Sequence, residues 1–544
     1  MSEKEGRAAS IAFGWWIALA AVVLFAAFIR WPTLDAPIER DEGEYAYAGQ
    51  LILEGQAPYE NLYNMKLPGI YAAYAIVLAI FGETARGIHM GLVLLNAITI
   101  ALVFLLGRRL LDAFTGLVAA ATFAVLSFGQ TIQGLFANAE HFVLPAACTG
   151  VLLLLRYTKD GKLRTLAASG LFLGLGFLVK QHGIAFVLFA GVYLMLHELS
   201  RGPVDLKLVG RRAAVLIGGV LAPYLATCLI FLAIGAFDDF WYWTFHYARA
   251  YAQQVSFEQA LYQLRTNGGM IFAVAPAAWT AVAVGLSALL WEPRARRRWK
   301  FFLPFALFSF LAICPGFFFR PHYFLLTLPA AALCAGIGIH GLVNLIGRAL
   351  AGMRRGSEVR WAVGALVVLV MLGQSVYAQR AYLFDLSPGQ LSRATFGENP
   401  FPEAVEAARF IRSRAHEDDS IAVIGSEPEI LFYSRLRSAT AFVYTYPLME
   451  DHAFALEMQR KMIDEIEESQ PEFLVMVLVH SSWLRKPTSH PLIFEWSEKY
   501  TAEHYELTAA VDMQLEGPRL YRKTQLEHRQ PSPAGSILIF ERKP

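Results

Sequence analysis

The stretch that decides the reading is R40-DEGEYAYAGQLILEGQAPYENLYNMKLPGIYAAYA-75. It places three carboxylates, Asp41, Glu42 and Glu44, within four residues, shortly after an apolar run at 11–29. Further along it supplies Lys66 and then Pro68. Such a cluster is out of keeping with its surroundings. The chain has 544 residues, of which 56% are hydrophobic and only 17% charged. That balance is far from the soluble average and indicates a chain held largely in lipid.

Working outward, apolar runs of membrane length predict about eleven spans. They fall near 11–29, 88–106, 113–129, 142–156, 164–179, 184–198, 213–235, 268–291, 300–318, 323–346 and 361–378. The run Leu166–Leu196 is too long for one span and breaks at K180-QHG-183. The first run has no small-residue cleavage site before Trp31-Pro32, so it reads as a retained helix. Cys148, Cys228, Cys314 and Cys334 all sit in apolar runs without metal-ligand spacing and read as buried apolar side chains.

Lysine and arginine in short loops orient the spans. With the amino terminus cytoplasmic, alternate loops carry Arg108 and Arg109, then Arg156, Lys159, Lys162 and Arg164, then Arg201, Lys207, Arg211 and Arg212. The R294-ARRRWK-300 cluster follows, and then Arg348, Arg354, Arg355 and Arg360. An odd number of spans leaves everything after about 380 outside the cytoplasm. That tail changes character. Strand-length runs (IAVIGS, TAFVYT, EFLVMVLV, ILIF) alternate with helical patterns such as DHAFALEMQRKMIDEIEES, the signature of a small α/β domain. The fold class expected is thus a polytopic α-helical membrane protein with a C-terminal extracytoplasmic α/β domain. The expected division is 1–380 for the membrane part, with a first outer loop at about 30–87, and 381–544 for the tail. The tail has a single Gly425 after a strand and no GxGxxG or phosphate-loop motif, and no nucleic-acid partner is expected.

Within the opening stretch, a helix is expected over 42–54, stopped by Gly55, and an interfacial one from Pro68 to Gly82. Helix capping is the plain alternative for the acids: Asp41, three residues before Glu44, has the spacing of a capping box. It leaves Glu42 and Lys66 without a role. Lys66 precedes the second helix, where an anion would be welcome.

Other polar groups fall on the same membrane face. The third and fourth spans are joined through Asn138, Glu140 and His141, the fifth and sixth through Lys180, Gln181 and His182. The seventh ends at Asp238 and Asp239 before an aromatic stretch, and the ninth ends in Arg320, His322 and Tyr323. Each has a structural alternative, from an aromatic belt after Asp239 to a snorkelling Lys180. Their common sidedness points to one polar site.

With Asp41-Glu42 after the first span, Lys66 in the same loop, and R320-PHYFLLTLP-329 downstream, the chain resembles the GT-C glycosyltransferases. The pattern is similar to that of the protein O-mannosyltransferases and the lipid A aminoarabinose transferases, over about residues 10–345. Lys66-Leu67-Pro68-Gly69 stands where members often have Lys-Pro-Pro, and Leu326 where a proline is usual. The resemblance implies transfer of a monosaccharide from a polyprenyl-phosphate carrier to an extracytoplasmic glycolipid, polysaccharide or protein, in the cell (inner) membrane.

The residues suit that chemistry. Lys66 and Arg320, helped by Lys180, His322 and Tyr323, would meet the leaving phosphate, and Glu140 and His141 complete the candidate substrate-binding set. Asp41 is the candidate base, with Glu42 beside it. Asp41 and Glu140 are candidate ligands for a divalent ion such as Mg, Mn or Zn. The rival classes are a transporter of an envelope lipid or sugar, and a non-catalytic envelope-binding protein. A transporter would show repeat symmetry and mid-membrane polar groups, and neither is visible.

Overall fold

A computed structural model of the chain describes residues 3–201, 205–351, 356–514 and 516–544. Arg354 and Arg355 of the last basic loop lie outside the described residues. The chain divides into two compact units, each assembled from separated stretches. One comprises Met1–Pro32, Gly91–Ile230 and Val255–Asp385, and the other Thr33–Met90, Phe231–Gln254 and Leu386–Pro544.

Helices dominate the first unit because backbone polar groups in lipid must be satisfied within the segment. Among the described residues, six helices are long and apolar enough to cross a membrane: Phe13–Thr33, Ala85–Leu110, Ala139–Asp160, Gln181–Leu199, Leu206–Ala233 and Pro321–Ala349. Four of the other expected spans are shorter apolar helices, Ala113–Leu126, Leu163–Val179, Trp299–Leu311 and Ala362–Ala378. The span expected over 268–291 is instead two helices, Phe257–Val274 and Pro276–Trp291, bent by 106°. Pro276 has no N–H to continue the ladder and disfavours helical backbone at the residue before it. Ala275 accordingly adopts φ −133°, ψ 57°.

Packing here relies on small residues, as expected where lipid tails are as apolar as the side chains. A Cβ at Gly285 would lie 1.8 Å from the Cys334 carbonyl oxygen, so Pro276–Trp291 and Pro321–Ala349 touch backbone to backbone. Leu206–Ala233 is different. Only 17% of its most apolar window is buried, which leaves its leucines for lipid.

Unit two is built on a six-stranded sheet. Its strands are β1 (Ser420–Ile424), β2 (Arg437–Ser438), β3 (Phe473–Leu478), β4 (Tyr505–Asp512), β5 (Arg519–Arg522) and β6 (Ser536–Arg542), in the order β2-β1-β3-β6-β4-β5. β1 runs parallel to β2 and β3, and the remaining pairs are antiparallel. β1, β3 and β6 arise from the apolar runs IAVI, FLVMVL and SILIF, and the charged pattern after Asp451 becomes the helix Ala455–Ser469.

The expected strand TAFVYT does not form. Side chains take the place of a ladder there. Ala441 N–H donates to Glu465 (3.1 Å), Phe442 N–H to the Thr440 hydroxyl (3.1 Å) and Thr445 N–H to the Ser426 hydroxyl (3.0 Å). The Ala441 carbonyl accepts from Tyr63 N–H at 2.7 Å.

Residues 33–90 belong to this second unit, and specific bonds hold them there. Ser438 N–H donates to the Tyr47 hydroxyl (2.9 Å), Ile38 N–H to the Tyr433 hydroxyl (3.0 Å), and the Tyr63 hydroxyl to Glu465 (3.1 Å). Arg40 is the tightest tie. Its guanidinium donates to Glu427 (2.8 Å), Asn399 (3.1 Å) and the Ser426 carbonyl. The helix Arg40–Leu53 crosses Pro428–Ser434 at Gly43, where a Cβ would lie 2.6 Å from the Glu429 backbone nitrogen. Only glycine fits that crossing.

Candidate functional site

The cap of the first loop helix differs from the expected one, and the difference sets up the site. The helix begins at Arg40, not Glu42, and its N-cap is Glu39. The Glu39 carboxylate accepts from Glu42 N–H (3.0 Å), and the Glu42 carboxylate accepts from Glu39 N–H (3.0 Å). That reciprocal pair satisfies two N-terminal donors. Capping therefore falls to Glu39 and Glu42, which leaves Asp41 and Glu44 for other work.

Glu42 is fully buried. Its second oxygen meets His89 Nε2 at 3.1 Å, while His89 Nδ1 faces the Leu34 carbonyl at 2.9 Å. A ring nitrogen that faces a carbonyl must carry the proton. Glu42, placed beside the candidate base on sequence grounds, thus has both oxygens engaged in holding the helix start.

Asp41 and Glu44, three apart, share a helix face. Lys66 Nζ bridges them, donating to Asp41 Oδ1 (2.7 Å) and Glu44 Oε2 (2.5 Å). The other Glu44 oxygen accepts from the Tyr71 hydroxyl at 2.6 Å, and the Lys66 carbonyl accepts from the Tyr59 hydroxyl at 2.6 Å. Aromatic rings flank the ammonium: Tyr45 at 4.5 Å and Tyr444 at 5.5 Å. Burial by itself would lower the lysine pKa, but Asp41 and Glu44 outweigh it and hold Lys66 above its ordinary value. Burial raises the Glu44 carboxyl against the opposing pull of Lys66. The side chains of Asp41 and Lys66 keep 19% exposure each and that of Glu44 none, so an incoming molecule can reach only the first two.

A second polar cluster lies in the helical unit. Glu140 occupies the first turn of Ala139–Asp160, where the helix dipole favours an anion. Lys180 stands where Leu163–Val179 ends at the expected KQHG break, its backbone extended at φ −155°. Its Nζ donates to Glu140 Oε1 at 2.5 Å and sits 4.4 Å over the Tyr323 ring. His182 packs edge-on against Tyr323 at 4.6 Å, and His322 Nδ1 meets Gln133 Oε1 at 2.9 Å.

Several buried atoms here have no partner: Glu140 Oε2, Asn138 Nδ2, His141 Nε2 and both ring nitrogens of His182. Buried polar atoms left unpaired are costly, so such a group marks a place where polar ligand atoms would be welcome. Arg320 lies over the Phe318 ring at 5.4 Å.

The candidate metal ligands do not fit a divalent ion in this arrangement. Asp41 and Glu140 each hold a lysine ammonium where a cation would sit. Among the described residues, no group of three or more His, Cys, Asp or Glu side chains is gathered to hold one. Sequence reasoning had treated Glu44 as half of a cap, although its spacing from Asp41 was a usable signal. Tyr71, Gln133 and Tyr444 gave none, because only tertiary structure brings them in.

Comparison with known proteins bears on the fold. The family profile described as dolichyl-phosphate-mannose-protein mannosyltransferase matches residues 66–226. No curated protein matches in sequence. The structure of ArnT from Cupriavidus metallidurans bound to undecaprenyl phosphate is similar at a TM-score of 0.57, with 16% identity over 97% of this chain and 98% of that one. The archaeal oligosaccharyltransferase AglB from Archaeoglobus fulgidus, in complex with an inhibitory peptide and a dolichol-phosphate, is similar at a TM-score of 0.52, with 12% identity over 93% and 74%. A complex of the Archaeoglobus fulgidus oligosaccharyltransferase with Zn and sulfate gives 0.53, at 13% identity over 94% and 74%. The chain is thus a multi-pass membrane protein with the fold of the GT-C glycosyltransferases, as its resemblance implied.

Proposed function

We propose that the protein transfers a monosaccharide from a polyprenyl-phosphate carrier to an acceptor outside the cytoplasm, a glycolipid, polysaccharide or protein. The observation that carries this reading is the Asp41–Lys66–Glu44 triad, in which an accessible carboxylate and a lysine are held together by a buried second acid. The similarity to ArnT, whose structure is bound to undecaprenyl phosphate, supports the donor class.

The chemistry follows from burial. When the donor phosphate enters, Lys66 keeps Glu44 and gives its Asp41 hydrogen bond to a phosphate oxygen, which releases Asp41 to act. The acceptor oxygen then forms its bond to the sugar's anomeric carbon as the bond from that carbon to the phosphate oxygen breaks. The acceptor proton passes to Asp41, and the departing phosphate takes the bonding electrons beside Lys66. Taken by itself, the cluster in the helical unit, with Lys180 and the unpartnered donors of Asn138 and His182, suits an anion, with His322, Tyr323, His141 and Arg320 as further candidate contacts.

By the placement of basic loops, Asp41, Glu140, Lys180, Arg320 and the tail face outward and the amino terminus faces the cytoplasm; the family resemblance supports the cell (inner) membrane as the location. The test is release of polyprenyl phosphate by purified protein from a panel of short-chain polyprenyl-phosphate monosaccharides, alongside mass spectrometry of envelope glycans from a deletion strain. Turnover of a panel member and loss of one glycan are expected. Unaltered envelope glycans together with no turnover would refute the reading.

A further inference from the structure

The segment 440–445, kept out of the sheet by side-chain hydrogen bonds, presents Tyr444 to the reactive triad. The Tyr444 hydroxyl donates to the Arg40 carbonyl at 3.0 Å and lies 3.3 Å from Asp41 Oδ1. Its single proton is shared between the backbone just before Asp41 and the carboxylate itself. The ring is held too. It stacks on Tyr446 at 5.7 Å, and Tyr446 in turn lies 5.4 Å from the Arg40 guanidinium and donates its hydroxyl to the Ser481 carbonyl at 2.7 Å. At 5.5 Å from Lys66 Nζ, the same ring forms one wall around the ammonium.

We propose that Tyr444 is a positioning residue for Asp41, so that the C-terminal part of the chain completes the reactive centre. The inference rests on the reading of Asp41 and Lys66 given above. When Lys66 turns to a phosphate, Asp41 gives up its hydrogen bond to the ammonium, and the Tyr444 hydroxyl still holds the carboxylate. The tail then acts as a component of the site and not as an accessory attached to it.

The experiment uses the full-length protein in detergent, with Tyr444→Phe, with 3-fluorotyrosine at position 444, and with Tyr505→Phe. The last removes a tail tyrosine hydroxyl whose bond, at 2.7 Å, goes to the Pro471 carbonyl. One readout needs no substrate: the rate at which a water-soluble acetylating ester modifies Lys66, read by peptide mass spectrometry on the folded fraction. The other is kcat and KM with a short-chain polyprenyl-phosphate monosaccharide. One lost hydrogen bond to a charged group predicts about tenfold lower kcat in Tyr444→Phe, with KM little changed, and a Lys66 acetylation rate shifted at least about threefold from the parent's. Tyr505→Phe and the 3-fluorotyrosine protein should match the parent in both. Unchanged Lys66 acetylation in Tyr444→Phe overturns the inference whatever the activity. A parent protein that turns over no donor but shows the acetylation change refutes the proposed function and leaves the positioning role standing.

Discussion

Replacing Glu44 with glutamine tests the division of labour in the triad, because it keeps the shape and removes the buried charge that anchors Lys66. Glu44 is wholly buried and accepts two hydrogen bonds, from Lys66 at 2.5 Å and Tyr71 at 2.6 Å. Removing one partner of a buried ion pair typically costs about 3–5 kcal/mol. Here Asp41 stays beside the ammonium and the amide oxygen still accepts, so a loss nearer about 2 kcal/mol is expected, the value of one charge-assisted hydrogen bond. That loss should lower the melting temperature by a few degrees. The functional effect is distinctive. With Glu44 neutral, Lys66 must lean on Asp41, and donor phosphate has to compete with that tighter pair. Donor affinity should fall about tenfold, the equivalent of about 1.4 kcal/mol. The assay is undecaprenyl phosphate binding by native mass spectrometry, paired with a thermal-shift measurement. A Glu44→Gln protein that melts lower yet binds undecaprenyl phosphate as the parent does would refute the anchoring role and return Glu44 to plain structure.

Asp41→Asn should leave the protein folded and bind donor at least as tightly as the parent while turnover drops about 10²–10⁴-fold, the usual cost of losing a general base. Lys66→Ala should weaken undecaprenyl phosphate binding itself, as measured by the same native mass spectrometry. Single cysteines in place of Glu54 and Glu417 should react with an impermeant thiol reagent in intact cells, and one in place of Lys162 should not; labelling at 162 alone would invert the orientation. Glu429 is buried with both oxygens unpartnered, and burial, with Glu427 next, raises its pKa well above the ordinary carboxylate value. An acid with a raised folded pKa binds more protons in the folded state, so its charging costs stability as pH rises from about 4.5 through that higher value. Glu429→Gln should therefore melt higher than the parent at pH 8, with the difference shrinking toward pH 5 in thermal-shift scans.

The membrane part was readable because each span announces itself by a run of apolar residues and each loop by its charge. Where the reading failed, a local rule had been outvoted. Pro276, inside an apolar run, bent a span that hydropathy alone had drawn straight. TAFVYT has the composition of a strand, but Glu465, Thr440 and Ser426 offered its backbone better partners than a neighbouring strand did. At the site, Asp41 and Lys66 stood out as charges in an apolar chain, but nothing in their separation of 25 residues marked them as partners. Tyr444 could not be found that way. Its hydroxyl reaches Asp41 across 403 residues of sequence, and nothing in the residues around it marks it from other tail tyrosines. The same long-range bonds tie the tail to the first outer loop. A cut near Ser387 would remove the partners of Arg40, Tyr47 and Tyr63 and expose much of the unit that contains the triad.

The three carboxylates of the opening stretch are explained by the geometry of one helix. Successive residues are turned by about 100° around a helix axis, so 41 and 44 share a face and 42 points elsewhere. Glu42 is spent on the helix start and on His89, wholly inside the protein. Glu44, equally buried, neutralises a lysine that the interior could not otherwise hold. Two buried acids and a half-buried lysine would be an expensive way to secure a loop, since such pairs seldom repay their desolvation. The cost makes sense if the third acid is the purpose. Asp41 is the one carboxylate of the three with an exposed side chain, and it shares Lys66 with an acid that cannot leave. A base that is neutralised at rest and released only when an anion claims its lysine would stay inactive until the donor arrives.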